Sequence, residues 1–148
     1  MLVLDTLKAQ LSIPISKNWT YQSVNDESWL KCQIPNSIYT ILEQSNIIQS
    51  PFLGNAEAKL DWISKKTWVF KNTFDINPQD IQHEHIEIQF KDLDTYAEVY
   101  LNDSLLGKTN NAFRTWTFDI KKIVKPIQNE LKIVFQSAPV IADSLYRN

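Results

Sequence analysis

Trp68-Val69-Phe70-Lys71-Asn72-Thr73-Phe74 largely alternates aromatic and polar side chains along seven residues. Trp68, Phe70 and Phe74 fall mainly on one side of an extended chain, with Val69, Lys71 and Thr73 on the other. Successive side chains of a strand point to opposite faces, so this pattern predicts a strand with one face in a core. The same period continues downstream. Ile86, Ile88 and Phe90 alternate with His85, Glu87 and Gln89; Ala97, Val99 and Leu101 alternate with Glu98 and Tyr100; Leu131, Ile133 and Phe135 alternate with Lys132, Val134 and Gln136. Asn102-Asp103 sits between two such runs, at 96–101 and 105–109, and predicts a hairpin turn.

Upstream of the opening strand, residues 55–63 read as a short polar loop that ends on an exposed Trp62. A polar loop feeding a strand is one way an all-β scaffold presents groups to a ligand. One segment departs from the strand period. In 35–44, Ile38, Ile41 and Leu42 recur at helical spacing, and Asn36 or Ser37 can cap the first amides, so one short helix is predicted there. A further helical turn is expected near 120–124, ahead of Pro126, and the tail from 138 onward has no clear pattern. Many short strands, few helices and no alternation of strand and helix point to an all-β sandwich. At 148 residues the chain reads as a single domain, long enough for one core without staples.

Composition and motifs exclude several classes. Net charge is −2 and no basic stripe is present, which argues against a nucleic-acid partner. No apolar run approaches the ~20 residues of a membrane span. The first residues lack the basic and apolar regions of a signal peptide, leaving a cytoplasmic location, or a periplasmic or secreted one if a targeting segment was removed. Cys32 is the single cysteine, so it makes no internal disulfide and no zinc site, and it reads as a buried, inert thiol. His83 and His85 flank Glu84 without a third ligand and read as solvent-facing rather than metal-binding. Gly54 and Gly107, the only glycines, are too far apart for a phosphate-cradling loop. Carboxylates such as Asp92 and Asp94 are scattered, and sequence alone pairs none at the ~5 Å separation of a retaining glycosidase. The residues by themselves therefore assign no catalytic group, no metal and no cofactor. Asn18-Trp19-Thr20 and Asn102-Asp103-Ser104 match glycosylation sequons, a pattern that carries little weight without a secretory signal.

Five blocks, taken in order, resemble the N-terminal domain of β-mannosidases of glycoside hydrolase family 2. Ile34-Pro35-Asn36-Ser37-Ile38-Tyr39-Thr40-Ile41-Leu42 resembles the family's V-P-G-x-V-x-x-x-L, with Asn36 where the family usually has Gly. Ile47-Ile48-Gln49-Ser50-Pro51-Phe52-Leu53-Gly54-Asn55-Ala56-Glu57 resembles I-x-D-P-F-x-G-x-N-E, with Gln49-Ser50 replacing the acidic residue. Trp62-Ile63, Trp68-Val69-Phe70 and Phe74 resemble W-I…W-x-Y-x-x-x-F. Leu93-Asp94-Thr95-Tyr96-Ala97-Glu98-Val99-Tyr100-Leu101-Asn102 resembles L-D-T-x-A-x-V-x-L-N-G. The last block runs from Gly107-Lys108-Thr109-Asn110-Asn111-Ala112-Phe113-Arg114 to Phe118-Asp119-Ile120 and Asn129-Glu130-Leu131.

This resemblance implies a galactose-binding-like jelly roll within an exo-acting, retaining β-mannosidase that removes terminal β-D-mannose. It places both catalytic glutamates in a downstream (β/α)₈ barrel that this chain lacks, so no catalytic residue is expected here and the chain alone is expected to be inactive. It also places residues 55–62 near the barrel mouth. Two readings of that stretch stay open: a loop that packs on the next domain, or one in which Asn55, Glu57 or Trp62 shapes the sugar pocket by hydrogen bonding and stacking. Asp94 and Thr95 are expected to fix a strand-entry turn, and Asn110 and Asn111 to satisfy loop backbone. The family's jelly roll and its Gly-Trp-Asp-Trp-Gly-Pro tract extend past the last residue here. The implied partners are downstream domains of the same polypeptide and a β-mannoside or mannose, and a truncated sheet would leave an edge open to self-association. The alternatives are a freestanding carbohydrate-binding module, since jelly rolls bind sugars with loops at one end, or an interdomain interaction module.

Overall fold

The computed structural model describes residues 1–6, 9–50, 56–137 and 141. Among the described residues, ten strands and two helices succeed one another as β1 (Leu2–Thr6), β2 (Ala9–Ile13), β3 (Trp19–Ser23), β4 (Leu30–Cys32), α1 (Ile38–Gln44), α2 (Ala56–Lys65), β5 (Trp68–Phe74), β6 (His85–Phe90), β7 (Tyr96–Leu101), β8 (Ser104–Asn110), β9 (Trp116–Asp119) and β10 (Asn129–Phe135), with a short 3₁₀ turn at Asp80–Gln82. They form two antiparallel sheets, one of four strands in the order β2-β1-β6-β9 and one of six in the order β4-β3-β5-β10-β7-β8. The strand content and its antiparallel pairing are those of a galactose-binding-like β-sandwich.

The alternating residues meet in one core. Trp19, Tyr21, Trp68, Phe70, Ala97, Val99, Leu101, Leu131 and Ile133 from the larger sheet join Leu2, Ile86, Ile88 and Phe90 from the smaller. Register puts Tyr21 opposite Phe70, Phe70 opposite Ile133, and Ile133 opposite Val99, so a single row of apolar side chains crosses four strands. Asn102 and Asp103 both adopt left-handed backbone, with φ of 49° and 64°, which is the primed turn that suits the twist of a two-residue hairpin.

Asn72 and Asn129 are polar residues at inward positions that period-two reasoning assigns to hydrocarbon. Asn72 is buried between Phe70 and Phe74, and its amide donates to the Lys17 carbonyl. Asn129 is fully buried at the start of β10. Its Oδ1 accepts from Lys125 N at 2.8 Å and from Asn102 Nδ2 at 3.0 Å, and its Nδ2 donates to the carbonyls of Lys125 at 2.6 Å and Phe74 at 3.3 Å. Asn102 Oδ1 in turn accepts from Glu130 N at 3.0 Å. This network closes one end of the sandwich by tying the β7–β8 hairpin, the segment before β10 and the end of β5 to one another.

Sequence reasoning predicted one helix, and α1 is that helix, capped by Ser37, whose Oγ accepts from Thr40 N at 3.2 Å. The expected turn at 120–124 is a single one, in which Ile123 N and Val124 N both donate to the Ile120 carbonyl at 2.9 Å. The polar loop read at 55–62 requires correction. From Ala56 to Lys65 the chain is helical. No Gly or Pro interrupts that stretch, Leu60 and Ile63 fall three apart with Ile63 buried, and Asp61 pairs with Lys65 one turn on. Its polar composition is that of an amphipathic surface helix.

Candidate functional site

Strand register places the end of β10 (Phe135), the start of β5 (Trp68) and the start of β7 (Ala97) beside one another, at the end of the sandwich opposite the Asn129 network. Four segments far apart in sequence converge there: the turn after β4, the last turn of α2, the β6–β7 connection and the residues after β10. Between them lies a groove of about 620 Å³, lined by Pro35, Asn36, Ser37, Tyr39, Ser64, Lys66, Trp68, Phe70, Asp92, Asp94, Phe135 and Gln136 among others. A shallower depression of about 530 Å³ shares Asp92 and Asp94 with it and adds Thr95, Asn110, Asn111, Ala112 and Phe113.

Each wall has a local cause. On the α2 side, the Trp68 indole N–H donates to the Ile63 carbonyl at 3.0 Å, pinning the helix end to the first residue of β5. Trp62 lies 6.2 Å from Trp68, ring to ring, at a tilt of 50°. The Lys66 ammonium sits 5.2 Å from the centre of the Trp62 ring and 5.9 Å from that of Trp68, a cation between two indoles. It also donates to Ser23 Oγ at 3.2 Å and lies 3.6 Å from the Asp26 carboxylate. The Ser23 hydroxyl, and after it the charge of Lys66, hold the Asp26 carboxyl below its ordinary range.

On the opposite wall, Asp92 adopts left-handed backbone with φ of 58°, and the Asp94–Thr95 peptide is cis. The Thr95 hydroxyl donates to the Asp94 carboxylate. Thr109 bridges from β8: its hydroxyl donates to the Thr95 carbonyl at 2.9 Å and accepts from Ala97 N at 3.0 Å. Asp94 and Thr95 thus fix the entry to β7, the structural role expected of them. Asn111 serves the β8–β9 loop as expected, with Oδ1 accepting from Phe113 N at 2.8 Å and its carbonyl accepting from Trp116 Nε1 at 3.1 Å. On the wall formed after β4, the Asn36 amide donates to the Gln33 carbonyl at 3.1 Å.

Of the three residues singled out by sequence, Trp62 is the one whose side chain the structure describes. Trp62 is 36% exposed, on the α2 flank of the groove, with part of its ring covered by Trp68 and Lys66. Glu57 belongs to the first turn of α2. Asn55 lies outside the described residues. Sequence patterning gave no signal for Lys66, although Trp62 and Trp68 stand four residues before it and two after it. It also passed over Asp92 as a groove residue.

Two further expectations meet the structure elsewhere. Cys32 is half-buried rather than buried, and desolvation pushes its thiol up to about 11, which keeps it protonated and inert at neutral pH. His85 is exposed as expected, whereas His83 is half-buried with Nε2 3.8 Å from Asp80. Among the described residues, no three of His, Cys, Asp and Glu gather as metal ligands.

Carboxylates, carboxamides, hydroxyls, an ammonium and indole faces line or flank the groove. These are the groups that hydrogen-bond hydroxyls and stack on pyranose rings, and they also serve the polar rim of a protein interface.

The sequence pattern described as "Glycosyl hydrolase 2 galactose-binding domain-like" matches residues 19–148. A rat (Rattus norvegicus) β-mannosidase is 30% identical over 132 residues, which are 89% of this chain and 15% of that protein. A β-mannosidase B of Thermothelomyces thermophilus is 29% identical over 129 residues, again 15% of its length. The crystal structure of a β-D-mannosidase from Dictyoglomus thermophilum superposes with a TM-score of 0.87 at 27% identity, over 90% of this chain and 16% of that one. A Bifidobacterium dentium β-glucuronidase, 15% identical with a TM-score of 0.68, shares the fold. The chain therefore spans about 15% of the length of the curated relatives it matches.

Proposed function

The chain belongs to the glycosyl hydrolase 2 galactose-binding domain-like family, and from that premise we propose that it is the non-catalytic N-terminal domain of an exo-acting, retaining β-mannosidase. The observation that carries this reading is the combination of near-complete coverage of the chain with coverage of only 15–16% of β-mannosidase relatives, at a TM-score of 0.87 to one of them. A domain of that share leaves the two carboxylates of a retaining glycosidase to another part of the polypeptide.

The groove end supplies the surface for that partnership. In this reading α2 and its flank, with Trp62, Glu57 and the preceding Asn55, form one rim of the mannoside pocket once a catalytic domain is docked. Trp62, 36% exposed, is the aromatic group for stacking on a sugar ring, and Trp68 and Lys66 pack against it. The isolated chain is expected to release no p-nitrophenol from p-nitrophenyl β-mannoside above the uncatalysed rate. Measurable turnover would overturn the assignment. Calorimetry with mannose and mannobiose separates it from a freestanding sugar-binding module, which would give heat at millimolar ligand where a half-site gives none.

A further inference from the structure

Phe113, at the tip of the β8–β9 loop, is 99% exposed, against 64% for Ile127, the next most exposed large apolar side chain among the described residues. Here the loop is held without help from the ring. Phe113 N donates to Asn111 Oδ1 at 2.8 Å, Trp116 Nε1 donates to the Asn111 carbonyl at 3.1 Å, and the Arg114 guanidinium lies 4.6 Å from the centre of the Trp116 ring. The backbone therefore holds Phe113 at an outward-facing position, at no gain to its own domain. Around it lie Asn110, Asn111, Asp94 and Thr95, a polar rim continuous through Asp92 and Asp94 with the groove. An apolar knob inside a polar rim is the anatomy of an interface hot spot.

We propose that Phe113 is a preformed docking anchor, inserted into an apolar pocket of the catalytic domain of the same polypeptide. The occupant follows from size: matching relatives devote about 15% of their length to this region, so most of each polypeptide is available to cover it. The proposal rests on the reading of the chain as one domain of a larger glycosidase. A loop backbone held in advance lowers the entropy lost on docking.

The test uses the full-length polypeptide. Its β-mannosidase activity reads the functional assignment separately from the docking assignment. 4-Fluorophenylalanine at position 113 reads the environment of the ring by fluorine NMR, and limited proteolysis between domains reads undocking. The ring is expected to be shielded from solvent, Phe113→Ala to raise the cleavage rate ~10–100-fold, Phe113→Leu to restore most of the protection, and Ile127→Ala to change nothing. A solvent-exposed fluorine signal with unchanged cleavage of Phe113→Ala overturns the proposal, whether or not the enzyme is active. Unchanged cleavage with a raised KM for mannosides also overturns it, and assigns the ring to substrate instead.

Discussion

Replacing Asn129 with Ala tests the closed end of the sandwich. Asn129 is fully buried and its side chain makes four hydrogen bonds, to Lys125 N, Lys125 O, Phe74 O and Asn102 Nδ2. Asn102 Nδ2 keeps a second acceptor, the Ile123 carbonyl at 3.0 Å, so it is not stranded by the change. The Lys125 amide and the two carbonyls lose a partner. With ~0.5–1.5 kcal/mol net per intramolecular hydrogen bond, and more where a buried group is left unsatisfied, the loss is about 3 kcal/mol. For a chain of this length, that corresponds to a drop in Tm of roughly 6–12 °C. Thermal unfolding by circular dichroism, with urea titration for the free energy, measures it. Asn129→Asp is the companion variant: it keeps both acceptor contacts, loses both donor bonds and sets a carboxylate against two carbonyls. That environment disfavours the charged form and raises the folded-state pKa, so the damage grows as pH rises and eases as the acid is protonated. A loss below ~1 kcal/mol for the Ala variant, or an Asp variant insensitive to pH, would refute the claim that this network holds the end together.

Gly107→Ala places a Cβ 2.5 Å from Cε1 of Phe118, across from β8 on the smaller sheet, and is expected to cost ~1–3 kcal/mol in chemical denaturation; unchanged stability would mean that the ring moves aside freely. Cys32, with its thiol near 11, is expected to be alkylated by iodoacetamide at pH 8 about 100-fold more slowly than an unperturbed thiol, and to reach the ordinary rate on unfolding. The hydrogen bond from Lys108, and then that from the Tyr100 hydroxyl, depress the Glu98 carboxyl. A depressed folded-state pKa gives stability that is present above the unfolded carboxylate range, near pH ~4.3, and is lost as pH falls through the folded value. Glu98→Gln should therefore lower Tm slightly at pH 7, by ~3 °C at most because the Lys108 partner is solvent-exposed, and the gap to the parent should close in acid.

Side-chain periodicity made the core legible. Ile86, Ile88, Phe90, Ala97, Val99, Leu101, Leu131 and Ile133 are all inward and buried, because a half-buried strand states its inner face locally. The positions that escaped are those where a polar side chain does tertiary work. Asn72 and Asn129 lie on apolar faces because loop carbonyls, invisible to a strand pattern, take up their amides. The α2 helix was hidden by its polarity, although the i,i+4 pair Asp61–Lys65 and the absence of Gly and Pro from 56 to 65 were in plain sight. The groove was not legible at all. Residues 35–36, 64–68, 92–94 and 135–136 become neighbours through the strand order β4-β3-β5-β10-β7, and that order is set by packing over the whole domain rather than by any local pattern.

The central claim is that this domain flanks a β-mannosidase active site without supplying its chemistry. A retaining glycosidase passes through a covalent glycosyl-enzyme, so the nucleophile can be trapped and located. The full-length polypeptide should be inactivated by 2-deoxy-2-fluoro-β-mannosyl fluoride and the labelled peptide mapped by mass spectrometry. One labelled carboxylate is expected, outside residues 1–148. A fluoromannosyl label on any Asp or Glu of this chain would contradict it.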